Sequence, residues 1–283
     1  MEIKKIGVLG AGTMGAGIAQ VAAEAGFSVI LVDIETAIIE KALKAVKKAW
    51  KKAMEKGKLD ESEMQKREGY LSTGNSMADF KDCDVVIEAI VEKIEVKKTV
   101  FKGLDEICPK NTILASNTSA LSITEIAAAT GRPDRVVGMH FFNPVPVMKL
   151  VEVIPGAESS EAVSSAIVEL CKKLKKEPVL AREFPGFIVN RILVPYINEA
   201  AMAFQDGVAS AEEIDKAMKL GANMPMGPLA LCDLVGIDVL LMVCEYFWQE
   251  FGDSKYRPSL ALKQKVRAGH LGVKSGKGFY DYK

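Results

Sequence analysis

The turn Gly10-Ala11-Gly12-Thr13-Met14-Gly15 constrains this chain more than any other stretch. Before it, Lys5 to Leu9 reads as a short buried strand. After it, Ala16 to Ala25 is rich in Ala, Ile, Val and Gln and reads as a helix that Gly26 ends. Phe27 to Val32 reads as a second strand with Asp33 at its end. These are the parts of a dinucleotide-binding unit. Gly10 allows the tight turn, Gly12 lets the backbone approach a pyrophosphate, and Gly15 lets helix and strand pack closely. The helix start offers unpaired N–H groups and a positive dipole end to the phosphates. Asp33 follows Gly15 by 18 residues, near the ~20 expected of an acid that takes the ribose hydroxyls. A carboxylate there repels a 2′-phosphate, so the pattern favours NAD over NADP. FAD-binding chains carry similar turns, and the turn alone does not separate the cofactors.

Downstream, helical and extended patterns alternate. Thr36 to about Gly57 carries apolar residues at helical spacing (Ile39, Leu43, Val46, Trp50, Met54), and Asp60 to Arg67 is a second helical piece. Together they read as a helical hairpin inserted between the second and third strands. Lys44, Lys47, Lys48, Lys51 and Lys52 give it a basic face, either a solvated surface or a landing site for a phosphorylated substrate. Further strands are predicted at Asp84 to Ala89, Thr112 to Ala115, Arg135 to Met139, Met148 to Ile154 and Glu177 to Ala181. Helices are predicted from about Glu95 to Ile107, from a capping box at Ser122 and Glu125 to Ala129, and from about Ser160 to Lys175. The alternation implies an α/β fold, a Rossmann-type doubly wound parallel sheet with helices on both faces.

Arg182-Glu183-Phe184-Pro185-Gly186 breaks this pattern and divides the chain into a dinucleotide-binding domain, 1–184, and an all-α domain, 185–283. Helices are predicted there at Phe187 to Gln205, from a capping box at Ser210 and Glu213 to about Leu220, and at Pro258 to Ala268. The segment Leu229 to Phe251 is very apolar, but Asp233, Asp238 and Glu245 interrupt it. It reads as a buried helix pair or a subunit interface, not a membrane span.

Composition narrows the function classes. A formal net charge of zero provides no basic excess for nucleic acid or a membrane surface. Five scattered cysteines with no C-x-x-C pair read as buried free thiols, and two histidines are too few for a His-rich metal centre. Met1 to Lys5 lead straight into the first strand, which reads as a cytoplasmic protein without a leader.

In open α/β sheets ligands bind beyond the carboxyl ends of the strands. Asp33, Glu88 to Glu92, Ser116 to Ser119 and His140 all fall at such ends. A histidine beside a dinucleotide site suggests a dehydrogenase. Hydride transfer at a carbinol carbon needs a group that moves the hydroxyl proton, and imidazole suits that near neutral pH. Glu152, in the apolar run Val151 to Ile154, reads as an outward-facing residue or as a buried, paired carboxylate. It is a fitting orienting group for His140.

Six stretches carry a family resemblance from one end of the chain to the other: Gly7 to Gly15, Ala115 to Ser119, Gly138 to Pro144, Phe184 to Arg191, Met226 to Pro228 and Lys274 to Tyr280. Through them the chain resembles the short-chain L-3-hydroxyacyl-CoA dehydrogenases, in particular the bacterial 3-hydroxybutyryl-CoA dehydrogenases of butyrate and butanol pathways. The His-Phe-Phe-Asn-Pro and Pro-Gly-Phe-Ile-Val-Asn-Arg blocks are specific to that family; the glycine turn is not. The resemblance implies reversible hydride transfer between NAD(H) and C3 of acetoacetyl-CoA or 3-hydroxybutyryl-CoA. It makes His140 the acid/base, paired with Glu152, and has Ser119 and Asn190 hold the 3-oxygen or the thioester carbonyl. It places Gly10, Gly12, Thr13, Met14, Gly15 and Asp33 on the cofactor, with Glu92, Lys97, Ser119 and Asn143 near its nicotinamide half. Lysines of the hairpin, Lys48, Lys51 and Lys52 among them, are expected to meet the coenzyme A phosphates. The second domain is expected to serve substrate binding and a homodimer or larger homo-oligomer. Val273 departs from the basic residue that relatives commonly carry there. Two other readings stand beside this one: an NAD enzyme acting on a free hydroxy or sugar acid, and a non-catalytic NAD-binding protein.

Overall fold

Three short runs in the first half of the chain are buried at every position: Val85–Glu88, Ile113–Ser116 and Val136–Phe141. Strands buried on both faces belong in a sheet that helices cover on each side. A computed structural model describes residues 2–282 and shows such a sheet. Its strands are β1 (Lys5–Leu9), β2 (Ser28–Val32), β3 (Leu71–Gly74), β4 (Val85–Glu88), β5 (Ile113–Ser116), β6 (Val136–Phe141), β7 (Leu150–Pro155) and β8 (Glu177–Leu180), in the spatial order β3-β2-β1-β4-β5-β6-β7-β8. The connecting helices are α1 (Thr13–Glu24), α2 (Thr36–Glu55), α3 (Glu61–Tyr70), α4 (Ile94–Ile107), α5 (Ile123–Ala127) and α6 (Glu161–Lys173).

The sheet is parallel except at one place, where β7 runs antiparallel to β6. The expected parallel arrangement is interrupted there for a simple reason. No helix lies between residues 141 and 150 to carry the chain back to its starting edge, and without a crossover consecutive strands must run in opposite directions. Sequence reading also missed β3, a four-residue edge strand with no fully buried residue. Leu-Ser-Thr-Gly has neither apolar alternation nor an apolar run to announce it. The third strand is therefore β3, and the hairpin of α2 and α3 leads into it.

Local side chains account for several element ends. α2 buries Ile39, Ala42, Val46 and Trp50 and exposes Lys44, Lys47, Lys48, Lys51 and Lys52. Trp50 Nε1 donates to Glu24 Oε1 at 2.7 Å and ties α2 to α1. The expected capping box of α5 is only half formed. Ser122 Oγ accepts from Glu125 N at 3.1 Å, but the Glu125 carboxylate turns to Lys98 Nζ at 3.3 Å. Arg132 closes the C-terminal end of α4, donating to the Asp105 and Cys108 carbonyls at 2.6 and 3.0 Å and to Asp105 Oδ1 at 2.6 Å. Burial alone would raise the Asp105 pKa; the Gly131 N–H and the Arg132 guanidinium outweigh it and hold the carboxyl below its usual range.

A second unit begins at Pro185. It contains α7 (Val189–Gln205), α8 (Ala211–Gly221), α9 (Pro228–Val235), α10 (Ile237–Phe251) and α11 (Leu260–Arg267). The apolar segment forms α9 and α10, broken at Gly236, whose φ of +106° a residue with a Cβ adopts only under strain. Its acids are placed. Buried Asp233 accepts from Phe279 N and Tyr280 N at 2.9 Å each, Asp238 pairs with Lys274 Nζ at 2.6 Å, and Glu245 lies 3.8 Å from Lys263 Nζ. Among the described residues no helix is long and apolar enough to cross a membrane, and no cluster of His, Cys, Asp and Glu could hold a metal ion. The five cysteines are buried free thiols. Burial pushes Cys108 up to about 11 and Cys83, Cys171 and Cys244 up to about 12, so none is a nucleophile at neutral pH.

Candidate active site

The glycine turn has three glycines for three different reasons. Gly10 adopts φ +99°, and its N–H donates to Val32 O at 2.8 Å. A Cβ on Gly15 would sit 1.7 Å from Gly10 O, so nothing larger fits. A Cβ on Gly12 would meet no atom within 4 Å. The protein's own packing therefore gives no reason for glycine at position 12, whereas the close approach of an anionic ligand does. α1 begins at Thr13, earlier than the sequence predicted, so Thr13, Met14 and Gly15 form its first turn. Gly12 is its N-cap and brings no side-chain acceptor to the N–H groups there, a ready anion site. Gly12→Ala is expected to change stability by less than about 0.5 kcal/mol while weakening NADH binding. Gly15→Ala is expected to lower Tm. Thermal melts and a fluorescence titration of both variants check this, and an unchanged NADH Kd in Gly12→Ala would remove the turn from the cofactor site.

Two cavities flank the turn. One, of about 580 Å³, is lined by Gly10, Gly12, Asp33, Glu35 and apolar side chains such as Ile90 and Val96. Among the described residues it is lined by two carboxylates and by no lysine or arginine. Asp33 Oδ2 accepts from Ala11 N at 2.7 Å and Oδ1 from Glu35 N at 3.1 Å, so this acid also shapes the turn. The other cavity, of about 420 Å³, lies between α1, α2 and the segment 143–146 and is lined by Thr13, Gln20, Lys41 and Asn143 among others. The small face of α1 allows that segment in: a Cβ on Gly17 would stand 2.8 Å from Val145 Cβ. Buried Lys176 pins the same loop, donating from Nζ to the carbonyls of Val145 and Met148.

Three strand ends are tied together beside the turn. Asn117 N donates to Glu88 O at 2.8 Å, and its Oδ1 accepts from Phe141 N at 2.9 Å, joining β4, β5 and β6. Glu92 Oε1 accepts from Ser119 N at 2.7 Å and from Thr118 Oγ1 at 2.5 Å. Lys97 is buried, with its Nζ 2.5 Å from Glu88 Oε1 and 3.4 Å from Glu92 Oε2.

His140 is not beyond its strand, as the sequence suggested, but within it, the fifth residue of β6. The antiparallel register sets it directly opposite Glu152. His140 Nδ1 and Glu152 Oε2 are 2.8 Å apart, with side-chain exposures of 5% and 0%. Glu152 is thus the buried, paired carboxylate of the two alternatives. A carboxylate only accepts, so Nδ1 carries a proton and proton transfer falls to Nε2. The Phe142 ring lies 4.5 Å from the imidazole, centroid to centroid, and walls it on one side.

Within the first unit, then, the turn, Asp33, Glu92, Ser119, His140 and Glu152 all stand on strands or on the segments that leave their carboxyl ends, and Lys97 stands in the first turn of α4. Asn143 lies on the exposed segment after β6. Lys48, Lys51 and Lys52 lie on the solvent face of α2 and line neither cavity. Asn190 belongs to the second unit, as the second residue of α7. Sequence reading passed over Lys41 and Lys176, because nothing local separates a cavity or loop-pinning side chain from any other polar residue; Asn117 lay in the strand-end run 116–119, but its bridge to β6 had no local signal. Glu88 stood at a strand end in the sequence, but its burial had no local signal.

Two family models cover most of the chain. Residues 5–184 match the NAD binding domain of 3-hydroxyacyl-CoA dehydrogenase, and residues 186–282 match its C-terminal domain. The chain is 52% identical over 282 residues to a probable 3-hydroxybutyryl-CoA dehydrogenase of Bacillus subtilis, covering 100% of this chain and 98% of that protein. It is 52% identical over 278 residues to the 3-hydroxybutyryl-CoA dehydrogenase of Clostridioides difficile, covering 98% and 99%. The crystal structure of an (S)-3-hydroxybutyryl-CoA dehydrogenase from Ralstonia eutropha matches with a TM-score of 0.96 at 46% identity, over 100% of both chains.

Proposed function

The chain belongs to the 3-hydroxyacyl-CoA dehydrogenase family, with NAD as its cofactor, and from that premise we propose that it interconverts (S)-3-hydroxybutyryl-CoA and acetoacetyl-CoA. The names of relatives alike over the whole chain support the substrate. The observation that carries the chemistry is the buried His140–Glu152 pair at the end of β6, in the same unit as the glycine turn.

The residues fit the cofactor. The open face of Gly12 and the first turn of α1 suit a pyrophosphate, and Asp33 in its cation-free cavity suits an adenosine ribose that carries no 2′-phosphate. Glu92, with Lys97 beneath it, Ser119 and Asn143 would stand near the nicotinamide half. When bound, NAD(H) supplies or takes up the hydride at C3. In the reducing direction protonated His140 donates from Nε2 to the 3-oxygen, and Glu152 stabilises the imidazolium until that moment. In the oxidising direction the neutral imidazole takes the hydroxyl proton. Ser119 and Asn190 hold the 3-oxygen or the thioester carbonyl, and Lys48, Lys51 and Lys52 meet the coenzyme A phosphates.

The second unit serves substrate binding and self-association. Exposed Val239 and Met242 stand one turn apart on α10 and support a homodimer or larger homo-oligomer. The protein acts in the cytoplasm, in fatty acid and butanoate metabolism. NADH oxidation followed by absorbance, with acetoacetyl-CoA, with free acetoacetate and with NADPH in place of NADH, tests the reading. Turnover is expected only with NADH and the CoA ester. Turnover on free acetoacetate alone would point instead to a small hydroxy-acid dehydrogenase and leave the lysines of α2 as a solvated face. NADH binding without turnover on either substrate would favour a non-catalytic protein.

A further inference from the structure

Lysine is among the residues least often buried, yet Lys176 is only 6% exposed. Its place follows from the end of α6. Leu174 is the C-cap, and Lys175 takes the left-handed conformation at φ +57°. The N–H groups of Lys175 and Lys176 donate to the carbonyls of Lys172 and Cys171 at 2.9 Å each. That is the pattern of a Schellman turn, whose last residue usually packs an apolar side chain back against the helix. Here that residue is a lysine. Burial pushes its pKa below the ordinary lysine value, and the Glu24 carboxylate opposes the shift. Its Nζ donates to two main-chain carbonyls, Val145 O and, at 2.8 Å, Met148 O, and among the described residues no carboxylate pairs with it. Burying a charge without a paired counterion is costly, and a methionine would fill the space without that cost.

Val145 and Met148 lie in the loop 142–149, which joins β6 to β7, the strands of His140 and Glu152. The loop opens with Phe142, whose ring walls the imidazole, and with Asn143, which is exposed and is placed by the path of its backbone. Its two ends are tied to neighbouring strands. Phe141 N donates to Asn117 Oδ1 at 2.9 Å, and Glu177 N donates to Lys149 O at 2.8 Å. Between them Pro144 O accepts from Val147 N and Met148 N at 2.9 and 3.0 Å, which makes a tight turn. Lys176 holds that turn by its carbonyls, and α1 packs on its Val145 side chain at the bare face of Gly17.

We propose that Lys176 is a positioning residue for the reaction: by holding the Val145 and Met148 carbonyls it fixes the turn after Asn143, and with it the place of Asn143 beside the nicotinamide half of the cofactor. This rests on the reading that Asn143 stands there. Lys176 is buried behind the loop and lines neither cavity beside the glycine turn, so it acts through the backbone it holds. Without its N–H groups the Val145 carbonyl loses its donor and is better satisfied by turning toward water, which carries Asn143 with it.

The full-length Lys176→Met variant keeps the apolar stem of the side chain and removes its donors. Stopped-flow mixing of its NADH complex with saturating acetoacetyl-CoA reads the first turnover as an amplitude and a rate constant. Loss of folded protein lowers only the amplitude, whereas a displaced Asn143 lowers the rate constant. The rate constant is expected to fall by roughly 10- to 100-fold, the scale for a shift of about 1 Å in a group that positions a reactant. A wild-type rate constant, at any amplitude, would overturn the proposal. Adding Asn143→Ala, which alone also lowers the rate constant, should cost less than about a further 2-fold, since one chain of contacts is cut at two links. Multiplied losses would overturn the proposal as well. If Lys176→Met does not fold, Gly17→Ala displaces the same turn with the lysine in place, because its Cβ would stand 2.8 Å from Val145 Cβ. A several-fold lower rate constant there supports the proposal, and an unchanged one overturns it. Asn143→Ala by itself tests the underlying reading. A wild-type rate constant there removes Asn143 from the cofactor, whereas a loss there beside a wild-type rate constant in Lys176→Met refutes only the positioning role.

Discussion

His140→Ala is expected to lower kcat by roughly 10²–10⁴, the usual worth of a positioned general acid or base. The imidazole stands opposite Glu152 in the register of β6 and β7, at 2.8 Å, so its orientation comes from the sheet itself. Hydride reaching C3 leaves charge on the 3-oxygen unless a proton arrives with it, and in the proposed reaction Nε2 supplies that proton. Stability will change too. Glu152 is fully buried and loses its imidazole partner in this variant; breaking a buried pair costs about 3–5 kcal/mol. The kinetic assay therefore needs a thermal melt beside it, at a temperature where the variant is folded. Glu152→Gln separates the two effects. It keeps the shape and a hydrogen bond but removes the charge, and its amide can donate to Nδ1 and favour the wrong tautomer. Its loss is expected to approach the same range, up to about 10⁴, with less loss of stability. Wild-type turnover in folded His140→Ala would take the residue out of the proton path.

Asp33→Ala is expected to raise the KM for NADH by roughly 10- to 100-fold, the equivalent of losing hydrogen bonds to a charged acceptor, while kcat stays near wild type because the contact is the same in ground and transition states. Part of that loss is indirect, since Asp33 Oδ2 also holds Ala11 N at 2.7 Å. NADPH is expected to remain a poor cofactor in this variant. Glu35 still lines the cavity, and no lysine or arginine lines it to neutralise a 2′-phosphate. Asp33→Ala/Glu35→Arg is the change expected to admit NADPH. Kinetics with both cofactors decide the matter, and efficient use of NADPH by Asp33→Ala alone would show that a cation from outside the cavity reaches the site.

The elements around the glycine turn were legible because their signals are local. Gly10 and Gly15 are required by a turn of six residues, and the runs 5–9, 28–32 and 85–88 announce themselves as buried strands. The face of α2 follows from Ile39, Val46 and Trp50 at helical spacing. β3 was not legible, because an exposed edge strand of four residues needs no apolar pattern. The start of α1 was misplaced for a similar reason: Thr13 and Met14 look like turn residues, and only the backbone shows them in the first helical turn. In the site, His140 and Glu152 were visible as residue types suited to an acid/base and its orienting carboxylate. Their pairing was expected from the family resemblance and not from any local pattern, because twelve residues of sequence separation carry no periodic signal.

The sequence by itself determined the local pieces: the glycine turn, the acid after β2, the alternation of strands and helices, and a histidine in a strand-end block. Tertiary structure alone decided what those pieces meet. The reversal at β7 sets Glu152 across from His140, and the parallel pairing of β4 with β5 brings Glu88 to Ser116, with Lys97 closing over both. The physical reason is the range of the forces. Steric limits and helical or strand periodicity act over a few residues and are written into neighbouring side chains. Strand order, register and the burial of a charge are settled only when segments far apart in the chain compete for the same partners.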